Sequence, residues 1–348
     1  MDFLLIGYFR SGTTLVSNII NTNNKGHCVV DPFIYLIKIF RNKIYKMNKL
    51  KIKDRDQDIE EYLVYGEKGI QKFIKEEASL NYKITKKEKK EYLQKLIIHK
   101  SYQHSKIKNI KDIKGKYFNE VLDQSLKDFA KLAKNKDYSI IGTKISWIEN
   151  YICVFLRNNP NLKIIAIVRD IRQIINSANF YDRHNFASPA RPLLYHIAYW
   201  KNSILNINEN IDKVHLVKYE SFEKDFEKEK NNIYEYLNIK NKRKIKNLKD
   251  QYGKVWKNNS SFNFKIKHKQ NIIYLNNQIR VPKNIIKIIE FFCYEELRIM
   301  GYKVKKPKII NNNFVIKELK KVEDPSNFAK KYKKWFNYEV ILNKINKL

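Results

Sequence analysis

The first fourteen residues constrain the fold more than any other stretch of the chain. Phe3-Leu4-Leu5-Ile6 is a short apolar run of the kind buried as a parallel strand. It ends in Gly7-Tyr8-Phe9-Arg10-Ser11-Gly12-Thr13-Thr14, and an amphipathic run, Leu15-Val16-Ser17-Asn18-Ile19-Ile20, follows at once. Strand, glycine-bounded loop and helix start predict an anion cradle, because loop N–H groups and the helix N-terminus converge on one spot. Arg10, Ser11, Thr13 and Thr14 add side-chain donors there. A Walker loop would read Gly-x-x-x-x-Gly-Lys-[Ser/Thr]. Here Thr13 occupies the lysine position and the cation, Arg10, sits inside the loop. An ordinary strand-to-helix turn explains the glycine spacing equally well; the hydroxyls and the arginine tip the balance toward an anion.

The same alternation of strand and helix returns later. His27-Cys28-Val29-Val30 reads as a brief strand ending at Asp31-Pro32, and proline biases Asp31 to an extended conformation. Tyr138–Lys144, Lys163–Val168 and Val214–Val217 read as further strands, with helices over Ile148–Asn158, Arg169 to about Asp182, and Pro192–Ile207. This pattern predicts an α/β fold: three layers, a mostly parallel sheet, and ligands at the carboxyl ends of the strands. Those ends carry Arg10, Lys144, Arg169 and Lys218, a convergence that favours one anionic site. Residues 48–137 are lysine-rich and helix-like, and read as an insertion over the sheet's carboxyl edge. The main domain spans 1–302, its last part a helix from Pro282 to Met300, and 303–348 reads as a basic helical extension.

Arg169-Asp170-Ile171-Arg172 with Ser177 is the second strong signal. Arg169 leaves its strand at the tip, and Ser177 lies about two helical turns on. An arginine fork and a hydroxyl so spaced can grip one phosphate. A helix capped by Asp170, with a solvated arginine, is the plainer alternative.

The net charge of +34 invites a nucleic-acid partner. The excess, however, is spread along the chain: 26 basic and 14 acidic side chains lie between 41 and 136, and 13 and 4 between 303 and 348. Lysine also rises together with asparagine and isoleucine, which a phosphate-binding surface would not require. No dedicated nucleic-acid site is expected. No run of about eighteen apolar residues suggests a transmembrane helix. Asp2 and Arg10 argue against a signal peptide. Cys28, Cys153 and Cys293 lack metal-ligand spacing, so reduced thiols, no metal and a cytoplasmic setting are expected.

The loop Tyr8–Leu15 resembles the Pro-Arg-Ser-Gly-Thr-Thr-Leu loop of sulfotransferases that use 3′-phosphoadenosine 5′-phosphosulfate (PAPS), with Phe9 replacing proline. The resemblance implies that Arg10, Ser11, Gly12, Thr13 and Thr14 bind the 5′-phosphosulfate. Arg169, Asp170, Arg172 and Ser177 match that family's Arg-Asp-Pro-Arg…Ser, which implies a grip on the 3′-phosphate by Arg169 and Ser177. Gly142-Thr143-Lys144 is similar to the strand-end lysine of the branch that includes protein-tyrosine sulfotransferases and bacterial sulfotransferases. Asp31, 21 residues after Arg10, stands where that branch has its catalytic glutamate. Tyr219 and Ser260 are carried over as cofactor contacts, though a core tyrosine and a polar loop explain them as well. His27, His184 and His215 are fallback bases.

The resemblance covers roughly residues 1–40 and 138–302 and implies sulfuryl transfer, with Asp31, Arg10 and Lys144 at the reacting centre. The acceptor stays open, a glycan or lipid headgroup among the candidates. A nucleotide-dependent kinase and a basic nucleic-acid-binding protein are the alternatives; the missing Walker lysine argues against the first.

Overall fold

In the computed structural model, the residues described are 1–50, 59, 70–98, 110–133, 137–177, 191–240, 245–256, 281–323 and 337–346. Five strands form one sheet in the order β2-β3-β1-β4-β5, every neighbouring pair parallel. They are β1 Phe3–Ile6, β2 Gly26–Val30, β3 Ile140–Lys144, β4 Lys163–Val168 and β5 Val214–Lys218. The helices are α1 Thr13–Thr22, α2 Ile34–Met47, α3 Ile70–Glu76, α4 Lys86–Ile98, α5 Phe118–Ala130, α6 Ile152–Asn158, α7 Ile171–Ser177 and α8 Leu193–Asn208. After β5 come α9 Tyr219–Lys224, α10 Phe226–Tyr236, α11 Lys283–Phe292, α12 Tyr294–Ile299, α13 Asn312–Val322 and α14 Tyr338–Ile345.

The continuous apolar runs of β1 and β4 follow from burial on both faces. Successive strand side chains point to opposite sides, so Leu4, Ile6, Ile164 and Ala166 enter one core while Phe3, Leu5, Ile165 and Ile167 enter the other. The second core is closed by Leu15, Val16 and Ile19 of α1 and Ile233 and Tyr234 of α10. The first is closed by α2, α5, α8 and α11. Three layers result, as the alternation predicts. Each fully buried Leu or Ile contributes about 1.5–3 kcal/mol, which makes these two faces the main stabilising element.

The segment expected as an insertion over the carboxyl edge divides its work. Tyr92 of α4 reaches that edge, donating its hydroxyl to the Pro32 carbonyl at 3.1 Å. α5 instead lies on the sheet face against β2 and β3, where Phe118, Leu122 and Leu126 are buried. The reason is its amphipathic stripe: a helix with one apolar face gains more from covering the sheet than from capping its end. The C-terminal extension also belongs to the core. Val315 and Leu319 of α13, with Ile341, Leu342 and Ile345 of α14, join the first cluster. The expected helix from Pro282 to Met300 is two helices broken at Cys293. All three cysteines are free thiols.

Candidate active site

The strand order decides which side chains can meet. Across the carboxyl edge it sets Asp31, Lys144, the 7–12 loop, Arg169 and Tyr219 side by side, in that order. β1, at the centre, carries the loop. Gly12 precedes α1 at φ 103°, a left-handed conformation, and a Cβ there would run into the Tyr219 ring. The loop is thus closed against the tip of β5 by contact that only glycine permits. The Ser11 hydroxyl turns inward and donates to the Tyr8 carbonyl at 2.5 Å, bracing the loop from within.

Arg10 adopts φ 63°, and its Nε donates to Ser177 Oγ at 3.2 Å. Arg169 Nη1 donates to the Arg10 carbonyl oxygen at 3.2 Å, and its guanidinium lies 4.2 Å from the Tyr219 ring centre. Arg169 is 8% exposed, so the solvated arginine of the plainer alternative does not occur. Among the described residues its buried Nε has no hydrogen-bond partner. A buried guanidinium nitrogen left unpaired is costly, and an anion between Arg10, Ser177 and Arg169 would satisfy it. Burial lowers the Arg10 pKa, the neighbouring Arg169 lowers it further, and Tyr219 opposes. Burial raises the Tyr219 hydroxyl's pKa, against the pull of Arg169. Two guanidiniums packed this closely repel each other, so a dianion would relieve charge as well as pairing.

On the other side of the loop, Lys144 Nζ pairs with Asp31 Oδ2 at 2.5 Å. Asp31 continues the ladder, its N–H donating to the Lys144 carbonyl at 3.0 Å, but its φ is 57°, not the extended value expected before proline. The left-handed turn lifts the chain off the sheet edge into α2 while leaving the carboxylate beside Lys144. Only Oδ2 is engaged among the described residues. Five non-glycine residues there have positive φ, and three of them, Arg10, Asp31 and Trp147 (66°), follow strand tips at this edge. Such backbone costs of order 1–3 kcal/mol per residue and clusters at functional sites.

Several candidates sit elsewhere or act differently. Arg172 belongs to no open phosphate grip. Its guanidinium pairs with Asp170 at 2.6 Å and Glu290 at 2.6 Å and donates to the Lys303 carbonyl at 3.0 Å. Asp170 Oδ1 accepts the Arg172 N–H at 2.8 Å, as a helix cap does. Lys218 turns over the Tyr302 ring, 5.6 Å from its centre. His27 lies near the start of β2, stacked on Tyr138 at 5.3 Å, and burial pushes it down to about 4. His215 stacks on Tyr236 at 4.7 Å, three residues before the tip of β5. Ser260 and His184 lie outside the described residues, as does 330–335 of the extension.

Sequence reasoning missed an aromatic wall beside Arg10. Phe9 packs on Trp147 (5.9 Å) and His196 (6.4 Å), and the Arg191 guanidinium stands 4.3 Å from Trp147 and 5.9 Å from Phe9. Tyr8 Oη and His196 Nδ1 are 2.7 Å apart behind it. The one local signal was Phe9 in place of proline, which puts an aromatic ring where a loop residue need only be stiff.

A model of the sulfotransferase family matches residues 2–242. The chain belongs to the sulfotransferase family. Among solved structures, the sulfotransferase domain of the Synechococcus PCC 7002 olefin synthase matches at 12% identity and a TM-score of 0.35. That match covers 69% of this chain and 74% of that one; the assignment rests on the sequence model, not on this likeness. No curated protein matches the sequence significantly. Membership makes the chain a transferase with a sulfuryl donor and an acceptor. No helix among the described residues is long and apolar enough to cross a membrane.

Proposed function

We propose that this sulfotransferase takes PAPS as donor and moves its sulfuryl group to a hydroxyl or amine of an acceptor. The observation that carries the reading is the contact of Arg10 Nε with Ser177 Oγ at 3.2 Å, beside Arg169 on the Arg10 carbonyl at 3.2 Å. Two anion grips far apart in sequence therefore adjoin, close enough for the two phosphorylated ends of one nucleotide. The 7–12 loop and the start of α1 would hold the 5′-phosphosulfate. Arg169 and Ser177 would hold the 3′-phosphate, with Tyr219 against the loop. A bound phosphate can accept the Ser177 O–H while Ser177 Oγ still accepts from Arg10 Nε, which leaves the terminal guanidinium nitrogens of Arg10 for the sulfuryl oxygens.

The acceptor oxygen or nitrogen attacks sulfur while the bond from sulfur to the bridging oxygen of the 5′-phosphate breaks. The electron pair leaves with adenosine 3′,5′-bisphosphate. As in phosphoryl transfer, in-line positioning and charge stabilisation supply most of the catalysis. Arg10 and Lys144 neutralise the departing charge. Asp31 takes the acceptor's proton on Oδ1, the oxygen that Lys144 leaves open. The aromatic wall and the many lysines are compatible with a glycan or an anionic headgroup as acceptor.

Calorimetry with adenosine 3′,5′-bisphosphate, followed by transfer from labelled PAPS to a panel of hydroxyl and amine acceptors, tests the reading. Binding of the bisphosphate that Arg169→Ala weakens supports it. Indifference to the bisphosphate at concentrations where ATP binds would sink it.

A further inference from the structure

The peptide group between Arg169 and Asp170 is held at both ends by side chains from other elements. Trp200 Nε1 of α8 donates to the Arg169 carbonyl at 3.1 Å, and the Asp170 N–H donates to Glu220 Oε1 at 2.9 Å. A peptide plane pinned on its oxygen and on its nitrogen cannot rotate, and its orientation sets where the Arg169 side chain leaves the strand. Glu220 is itself fixed, because its other oxygen accepts the Tyr302 hydroxyl at 3.1 Å. The Asp170 carboxylate is locked by Arg172, which Glu290 and the Lys303 carbonyl hold from the far side. Burial works against the charge on Arg172, but Asp170 and Glu290 outweigh it and raise its pKa. Glu290, Tyr302 and Lys303 all lie beyond residue 242, where the family match ends.

We propose that Glu220, Tyr302, Arg172 and Glu290 form a brace through which the C-terminal segment positions Arg169, making the site discriminate nucleotides by the phosphate at the Arg169–Ser177 end. These are positioning residues: among the described residues their hydrogen bonds and ion pairs run to the Arg169–Asp170 segment, to one another and to the C-terminal segment, and none to the 7–12 loop. Part of the second motif thus serves as a tether. Its second arginine joins two distant parts of the chain, while its first stays available to a ligand. A preorganised guanidinium binds more tightly because its freedom is already lost before the ligand arrives. The inference rests on the reading that Arg169 and Ser177 take a phosphate.

The test compares adenosine 3′,5′-bisphosphate with adenosine 5′-monophosphate by calorimetry on the full chain and on Tyr302→Phe, Glu290→Gln and Arg169→Ala. The wild type is expected to prefer the bisphosphate about ten- to hundredfold, the contribution of charge-assisted bonds to one phosphate. Tyr302→Phe and Glu290→Gln should each cut that preference about three- to tenfold while leaving 5′-monophosphate affinity unchanged. A purely structural role would weaken both nucleotides alike, and that outcome, or no change, overturns the brace. A preference lost in Arg169→Ala but kept in both other variants also overturns it, leaving the phosphate grip intact. No preference in the wild type would instead defeat the grip itself. Tyr302→Phe removes a single oxygen, so it decides the matter should Glu290→Gln fail to fold.

Discussion

The two halves of the sheet's carboxyl edge are built by different means. On the β1–β4–β5 half, Arg169 is tied to the Arg10 carbonyl, its own carbonyl to Trp200, and the next N–H to Glu220. Three separate parts of the chain hold that one arginine. On the β2–β3 half, Asp31 has, among the described residues, one ion pair with Lys144 and one ladder hydrogen bond, and its side chain is 25% exposed. The contrast teaches a division of labour. Many-sided restraint suits a group that must bind the same anion in one geometry. A carboxylate held by one partner and open to solvent suits a group that must trade a proton.

The largest effect should fall on the open half. Asp31→Asn is expected to lower turnover about 10²–10⁴-fold, the usual contribution of a general base. Bisphosphate affinity should hold; a parallel loss of affinity would mean that the halves are not separate. Arg10, between them, should matter to both. Arg10→Ala is expected to cost about 10²–10³ in turnover, as removal of one charge-stabilising donor does, with some loss of nucleotide affinity. Loss of affinity alone would move Arg10 wholly to the binding half.

On the restrained half, Arg169→Ala should weaken the bisphosphate about ten- to hundredfold and, at saturating donor, change turnover less than Asp31→Asn does. The reverse ranking would break the comparison. The smallest effect concerns stability. Burial lowers His27 on β2 from 6.5 to about 4, so the folded state resists its protonation. Its contribution is complete above about pH 6.5 and is lost as pH falls toward 4. Thermal unfolding should therefore show that His27→Phe loses about 2 kcal/mol less stability than the wild type between pH 7 and 5. Equal slopes would remove His27 as a source of acid lability on the open half.

Much of the fold was legible because burial on both faces writes itself into sequence. The runs Phe3–Ile6 and Lys163–Val168 match β1 and β4 residue for residue. Arg10, Ser177, Arg169 and Tyr219 were each readable as polar groups at element ends, and the structure brings them together. Arg172 was not legible in the same way. Local spacing places it in the same motif as Arg169, and only Glu290, 118 residues on, turns it into a tether. Phe9, Trp147 and Arg191 show the same limit: none belongs to a periodic pattern, and the replacement of proline by Phe9 does not say which residues it meets.

Hydrophobic periodicity and glycine placement determined the strands and the glycine-bounded loop between β1 and α1, because those depend on near neighbours in the chain. Tertiary structure alone decided which charges face a ligand and which neutralise one another. Arg169 and Arg172 are three residues apart and chemically identical, yet Arg172 is neutralised by its neighbour Asp170 together with Glu290, which arrives from a distant segment. The pairing of a charge is settled by whatever packs beside it, and sequence distance carries no record of that.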